Sequence, residues 1–332
     1  MVLLVTGLCD CACWYCPLSD RKRGRDVVFA NERQIRPEDT EALLHEARMI
    51  DTLGTGLTGG DPAVVSDRAL RYIEVLKEAF GPGHHIHMYT GTPLDADALA
   101  RLATAGLDEI RFHPPPSAWR SLPPAYVGAV MTALDHGIAT GLEVPAIPGT
   151  KGDLLRLVDV LEGLEADFIN LNELEYSETN FGAIRERGLV WRSDTSNAIR
   201  GSEKVAVQVV TWAHDRDTNL TVHYCSSAYK DGVQLRNRLK RRAKNVARAY
   251  DVMTGDGTIV RGIVESDDPV ALAEDLAGRF DIPEGLIGVR HGRVEVAPWV
   301  LQEIAGEIAE PAFIVEEYPT EDRLEVERTP LN

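Results

Sequence analysis

Four of the five cysteines fall within eight residues near the start of the chain: Cys9, Cys11, Cys13 and Cys16. Thiolates are soft ligands that suit iron–sulfur clusters or zinc. Cys9, Cys13 and Cys16 read C-x3-C-x2-C, with an aromatic, Tyr15, just before the last cysteine. A zinc site needs a fourth ligand, from Cys11 or a remote histidine, and usually a second C-x2-C or a histidine pair. Neither pattern is present. Three thiolates directly after a short apolar run, Val2 to Val5, suit a [4Fe–4S] cluster with one iron left open. Cys11, flanked by candidate ligands but out of register with them, reads as a free thiol.

A second motif, Gly59-Gly60-Asp61-Pro62, follows about 40 residues later. Gly-Gly and Asp-Pro break regular structure by themselves, and glycines let backbone groups approach a ligand closely. Further polar candidates lie on runs that otherwise read as strands. His87 and Tyr89 alternate with Ile86 and Met88; Arg111 and His113 alternate with Ile110 and Phe112. Glu143 sits between Leu142 and Val144, and Asn170 and Asn172 flank Leu171. Cys225, the fifth cysteine, stands alone at the end of another strand-like run.

The cysteine loop with Tyr15, followed by the Gly59–Pro62 turn, resembles the cluster-binding signature of the radical SAM superfamily. That resemblance implies a [4Fe–4S] cluster on Cys9, Cys13 and Cys16 whose open iron binds S-adenosylmethionine (SAM), cleaved reductively to a 5′-deoxyadenosyl radical. It implies that Tyr15 contacts the adenine and that the backbone of Gly59, Gly60 and Asp61 holds the SAM amino group. Asp61 stands where the family usually has glutamate. By the same resemblance, Glu143, Asn170 and Asn172 occupy strands that in the family contact the SAM ribose and carboxylate, and His87, Tyr89, Arg111, His113 and Cys225 are left as substrate candidates. An electron donor such as a ferredoxin or flavodoxin is implied as partner. The whole chain is similar to a group of archaeal radical SAM proteins related to the activating enzyme of pyruvate formate-lyase. Cys16-Pro17-Leu18, Glu143-Val144-Pro145, Asn172-Glu173-Leu174-Glu175 and the Cys225–Arg238 segment carry that wider similarity.

Positioning these residues calls for a parallel sheet with crossover helices. Short β-like runs alternate with amphipathic helical patterns along the first part of the chain. Strands are expected before the cysteines, before Gly59, and at His85–Thr90, Glu109–His113, Gly141–Ile147 and Phe168–Glu175. The expected fold is α/β, a partial (β/α)6 radical SAM barrel over residues 1–195. Residues 196–332 are expected to form a basic helix segment and a small α+β domain. Period-two alternation sends apolar side chains to the helices and polar ones to the barrel lumen. Each polar group buried there without a partner would cost about 1–3 kcal/mol, so the lumen must hold water, an internal network or a polar ligand; a ligand is the expectation.

Composition narrows the function classes. The net charge of −17 argues against a global electrostatic grip on nucleic acid or on an anionic membrane. One local exception is the helix at 236–248, with Arg236, Arg238, Lys240, Arg241, Arg242, Lys244 and Arg248, whose alternative reading is an RNA footprint. No apolar run reaches the length of a membrane span, and nothing at the N-terminus resembles a signal peptide. Crowded cysteines without a disulfide pattern suit the cytoplasm. One cysteine outside the loop is too few for a second cluster held by cysteines alone. The expected activity is hydrogen abstraction from a substrate that could be a protein, an RNA or a small molecule. Activating-enzyme-like action on a protein leads, RNA modification is the alternative, and a zinc-binding protein without redox chemistry ranks below both.

Overall fold

The computed structural model describes residues 1–332 and resolves into two compact units. The first comprises Met1–Ala47 and Thr52–Asp231; the second comprises Arg48–Asp51 and Gly232–Asn332.

The first unit opens with β1 (Val2–Thr6), the cysteine loop, β2 (Val28–Ala30), β3 (Arg33–Ile35) and α1 (Thr40–Met49). Strand–helix pairs follow: β4 (Gly54–Gly59) with α2 (Ser66–Phe80), and β5 (His85–Thr90) with α3 (Ala96–Ala105). Next come β6 (Glu109–Phe112) with α4 (Pro124–Asp135), and β7 (Ala139–Ala146) with α5 (Lys151–Gly163). After β8 (Phe168–Glu173), the chain runs through α6 (Phe181–Glu186), β9 (Trp191–Ser193), β10 (Ser196–Ile199), α7 (Ser202–Asp215) and β11 (Thr221–Cys225). The sheet order is β11-β8-β7-β6-β5-β4-β1-β2-β3, parallel from β1 to β11 and antiparallel only at β2 and β3.

Local chemistry explains the repeat. In α2, Ala69, Tyr72, Ile73 and Leu76 recur at helical spacing and are all buried. Asp95 caps α3 by accepting from the Ala98 amide at 2.9 Å, and Gly106 ends it in the left-handed region at φ 99°. Ile86, Met88, Ile110, Phe112, Leu142, Val144, Ile169 and Leu171 are buried in one core, as the alternation requires.

Six strand–helix units are present as expected, β11 adds a seventh parallel strand, and the first compact unit runs to Asp231. Thr221 pairs with Phe168 and Cys225 with Asn172. The strand is short, lies at the sheet edge and buries none of its residues fully, so nothing local marks it as part of the barrel. Buried Ser202, at the start of α7, ties this segment inward by donating to the Ala146 carbonyl at 2.7 Å and accepting from the Leu174 amide at 2.8 Å.

A short helix, α8 (Ser227–Tyr229), leads through a π-helical turn at Lys230–Leu235 into α9 (Arg236–Val246). In the second unit follow β12 (Val252–Met253), β13 (Ile259–Val264), α10 (Pro269–Arg279), β14 (Ile287–Arg290), β15 (Arg293–Val296), α11 (Pro298–Ile304), β16 (Ala312–Glu317) and β17 (Glu325–Pro330). The antiparallel order is β14-β15-β13-β16-β17, matching the expected α+β character. His291 and Gly292 both take positive φ, as a tight hairpin between β14 and β15 demands. Beside the apolar core, Arg261 meets Asp251, Glu295 and Glu317 at 3.0–3.2 Å. Burial opposes the charge of Glu295, but Arg261 and Arg323 outweigh it and hold its carboxyl down to about 2.

Candidate functional site

The cysteine loop is cinched at its base. Gly7 donates to the Arg25 carbonyl at 2.9 Å and Gly24 to the Gly7 carbonyl at 2.8 Å. A Cβ at Gly7 would lie 1.7 Å from the Lys22 carbonyl oxygen, so only glycine fits. The same holds at the next turn, where a Cβ on Gly60 would meet the Leu8 oxygen at 2.0 Å. Gly60 and Asp61 spend their amides on the Thr6 and Leu8 carbonyls, both at 2.8 Å. What this turn can still offer a ligand is carbonyl oxygen, the right partner for an ammonium. The Asp61 carboxylate is committed elsewhere: it accepts from the Ala63 and Gly91 amides and from the Thr92 hydroxyl at 2.9–3.1 Å.

All the loop thiols are free, Cys9 exposed and the others half-buried. Burial raises the Cys9 and Cys13 thiols, and Cys11 is pushed up to about 12 by burial and by the charges of Cys9 and Cys13. Cys9, Cys13 and Cys16 are close enough for their thiolate charges to oppose one another, so three deprotonated sulfurs call for a strongly positive guest. A cluster takes each thiolate on a separate iron, and the donor set fits it.

Tyr15 is buried and reaches into the barrel. Its hydroxyl lies 2.8 Å from His113 Nε2, and His113 Nδ1 lies 2.6 Å from the Glu143 carbonyl oxygen. A carbonyl only accepts, so Nδ1 carries the proton. Burial lowers the His113 pKa and keeps the ring neutral, which leaves Nε2 to accept from Tyr15.

Above Tyr15, two residues that read as ordinary loop polar groups clamp the cysteine segment. Buried Asn180 donates to the Tyr15 carbonyl at 2.9 Å and to Glu175 at 3.1 Å, while its Oδ1 accepts from the Ser177 amide at 2.7 Å. Thr179 donates to the Cys16 carbonyl at 3.4 Å. Because 165 residues separate Asn180 from Tyr15, no local signal announced the contact. Asn180→Ala is expected to cost about 1–3 kcal/mol, the price of buried backbone groups left unsatisfied. It should also lower iron retention after reconstitution; urea unfolding with iron assay checks both.

The expected lumen residues converge. Arg111 donates to Glu143 at 2.8 Å and to the Tyr89 hydroxyl at 2.9 Å, and also pairs with Glu109. Asn172 donates to Glu143 at 2.6 Å and Asn170 at 3.3 Å. The polar faces therefore satisfy one another first, and the lumen's polarity is an internal network before it is a ligand site. Glu143 uses three of about four acceptor positions, leaving room for one hydroxyl. Cys225, opposite Asn172 in the sheet, is near enough to feel Lys230, Glu143, Glu175 and Arg111. Glu173 and Glu175 face structural partners instead: the Ser227 amide at 2.9 Å and Lys230 at 2.8 Å.

His87 stands apart from this network, packed over Gly56, where a Cβ would come within 2.5 Å of its Nε2. Its buried Nδ1 has no partner. Burial, reinforced by Arg111 and His85, pushes its pKa down to about 3. A depressed histidine pKa means the neutral ring stabilises the fold above about pH 6.5, and that stability is lost as pH falls toward 3. His87→Leu should therefore flatten the decline in melting temperature between pH 6.5 and 4.

The family described as the Radical SAM superfamily matches residues 3–114, and a family described as a domain of unknown function (DUF8061) matches residues 257–331. A Methanocaldococcus jannaschii protein, provisionally named a glycyl-radical enzyme activating enzyme, is 38% identical over 100% of this chain and 89% of its own. Among solved structures, Streptococcus suis SuiB bound to the precursor peptide SuiA is 14% identical with a TM-score of 0.49, over 73% of this chain and 55% of that one. Native anSMEcpe with bound AdoMet is 12% identical with a TM-score of 0.44, over 78% and 72%. The chain spans about half the length of the SuiB structures. No helix is long and apolar enough to cross a membrane. The cysteine motif, the glycine turn and a whole-length relative agree: the chain belongs to the radical SAM superfamily, as an enzyme that cleaves S-adenosylmethionine at a [4Fe–4S] cluster.

Proposed function

We propose that the chain abstracts hydrogen from a protein substrate, in the manner of an activating enzyme, with Cys9, Cys13 and Cys16 holding the cluster. One observation carries the substrate class: similarity over the entire chain to a protein provisionally named for that role. When bound, the cluster supplies the electron for reductive SAM cleavage and thereby the 5′-deoxyadenosyl radical that takes the hydrogen. The chain's residues position what reacts. Carbonyls of the Gly59-Gly60 turn receive the SAM ammonium, and Tyr15, its hydroxyl fixed on neutral His113, presents its ring to the adenine. Glu143, braced by Arg111, Asn170 and Asn172, receives one ribose hydroxyl. Tyr89, His87 and Cys225 border the space left for substrate. A protein electron donor and a cytoplasmic setting complete the proposal, since crowded free thiols suit a reducing compartment.

The RNA reading has less support, because the basic helix is partly spent within its own unit. Arg242 is buried, donates to the Pro319 carbonyl and pairs with Glu321. Arg236 meets Asp256 at 3.2 Å and the Gly255 carbonyl.

The test uses reconstituted enzyme with SAM and dithionite, mixed with host protein fractions carrying α-deuterated glycine. Deuterium should appear in 5′-deoxyadenosine. Label transferred only from deuterated RNA, or from no protein fraction at all, overturns the substrate class.

A further inference from the structure

We infer that the turn Arg21–Arg25 is the docking surface for a small acidic ferredoxin that reduces the cluster. The inference rests on the proposed cluster site but concerns a different face of the cysteine loop.

Arg21, Arg23 and Arg25 are exposed, and no carboxylate pairs with any of them. Elsewhere on the surface, Arg36, Arg68, Arg101, Arg120, Arg216 and Arg328 each meet an acidic side chain. The turn is held open toward solvent by its own backbone: Lys22 and Arg23 both donate to the Ser19 carbonyl at 2.9 Å, and Arg25 donates to Lys22 at 3.2 Å. Lys22 folds back over the Phe29 ring at 4.4 Å, leaving the arginines to face outward. From Leu8 to Arg25 the loop carries four cations against two carboxylates, Asp10 and Asp20, in a chain of net charge −17.

Position gives this charge its meaning. Gly24 and Arg25 are tied to Gly7, two residues before Cys9, at 2.8 and 2.9 Å, so the arginines border the loop that holds the candidate cluster ligands. Reductive SAM cleavage consumes one electron, and it must enter near those ligands. An acidic carrier is repelled by this chain as a whole, so productive encounter needs a local field of opposite sign at the entry point. A compact patch of three arginines within five residues suits the small contact area of a transient redox encounter. In the transfer itself the ferredoxin loses one electron and the enzyme's cluster gains it; no bond forms or breaks and no proton moves.

The test compares wild type with Arg21→Glu/Arg23→Glu/Arg25→Glu, both reconstituted with iron and sulfide. Oxidised clostridial-type ferredoxin is titrated by calorimetry at low and high salt, and cluster reduction by the reduced ferredoxin is followed by stopped flow. Wild type should bind, with affinity falling as salt rises, and the variant should bind and be reduced about tenfold or more weakly at low salt. Dithionite, which needs no docking, should support equal 5′-deoxyadenosine formation in both. Equal ferredoxin binding and reduction in the two proteins overturns the docking surface while leaving the proposed function intact. Binding of an acidic flavodoxin or a single-stranded RNA 20-mer that depends on the three arginines, without such binding of ferredoxin, also overturns it. Failure of dithionite to support cleavage in wild type would instead strike the proposed function.

Discussion

Cys13→Ala is expected to abolish iron–sulfur incorporation and all 5′-deoxyadenosine formation, while Cys11→Ala loses neither. Cys13 lies within reach of both Cys9 and Cys16 and of the Tyr15 hydroxyl, so its sulfur belongs to the candidate ligand group. Two remaining thiolates cannot hold three corners of a cluster. Cys11 points its sulfur toward Gly91, where an added Cβ would meet it at 2.5 Å, and it is pushed up to about 12, the behaviour of a packed thiol. Circular dichroism should show both variants folded, since these side chains are half-buried surface groups rather than core. Iron assay and product analysis check the contrast. Equal loss in the two variants would mean that the ligand assignment is wrong.

Arg111→Met should be the most destabilising single change in the barrel lumen, by about 3–5 kcal/mol. Its guanidinium pairs with both Glu109 and Glu143, and it also braces Tyr89. Burial works against its charge, yet Tyr89, Glu143 and Glu109 outweigh that and raise its pKa. Removing it strands two carboxylates in a mostly enclosed space. Pairing it with Glu143→Gln should recover part of the loss, because one of the stranded charges is then gone. Urea unfolding of the two single variants and the double variant measures the coupling. A loss below about 1 kcal/mol for Arg111→Met would mean that solvent reaches the network freely.

The cysteine spacing and the period-two strands were legible because both are local patterns. His85 to Thr90 alternates in sequence and in burial alike, and the polar faces of four strands duly meet inside the barrel. Partnership across long separations was not legible. β11 reads as a strand anywhere, and only its ladder with Phe168–Asn172 makes it the barrel's seventh. Asn180 reads as a loop asparagine until its amide is seen on Tyr15. Composition misled at α9 for the same reason: Arg242 counts as a cation in the sequence but is buried against Pro319, 77 residues away. Asp61, recognised through its motif, also serves as the tie between two loop ends, one of which bears Gly91 and Thr92.

The central claim is one cluster that cleaves SAM. It is tested most directly by reconstituting the wild-type chain anaerobically with iron and sulfide, reducing it with dithionite and adding SAM. The account predicts about four irons per chain, an electron paramagnetic resonance signal from the reduced cluster that changes when SAM is added, and 5′-deoxyadenosine as product. Tight binding of one zinc per chain, with neither the signal nor the product, would contradict it.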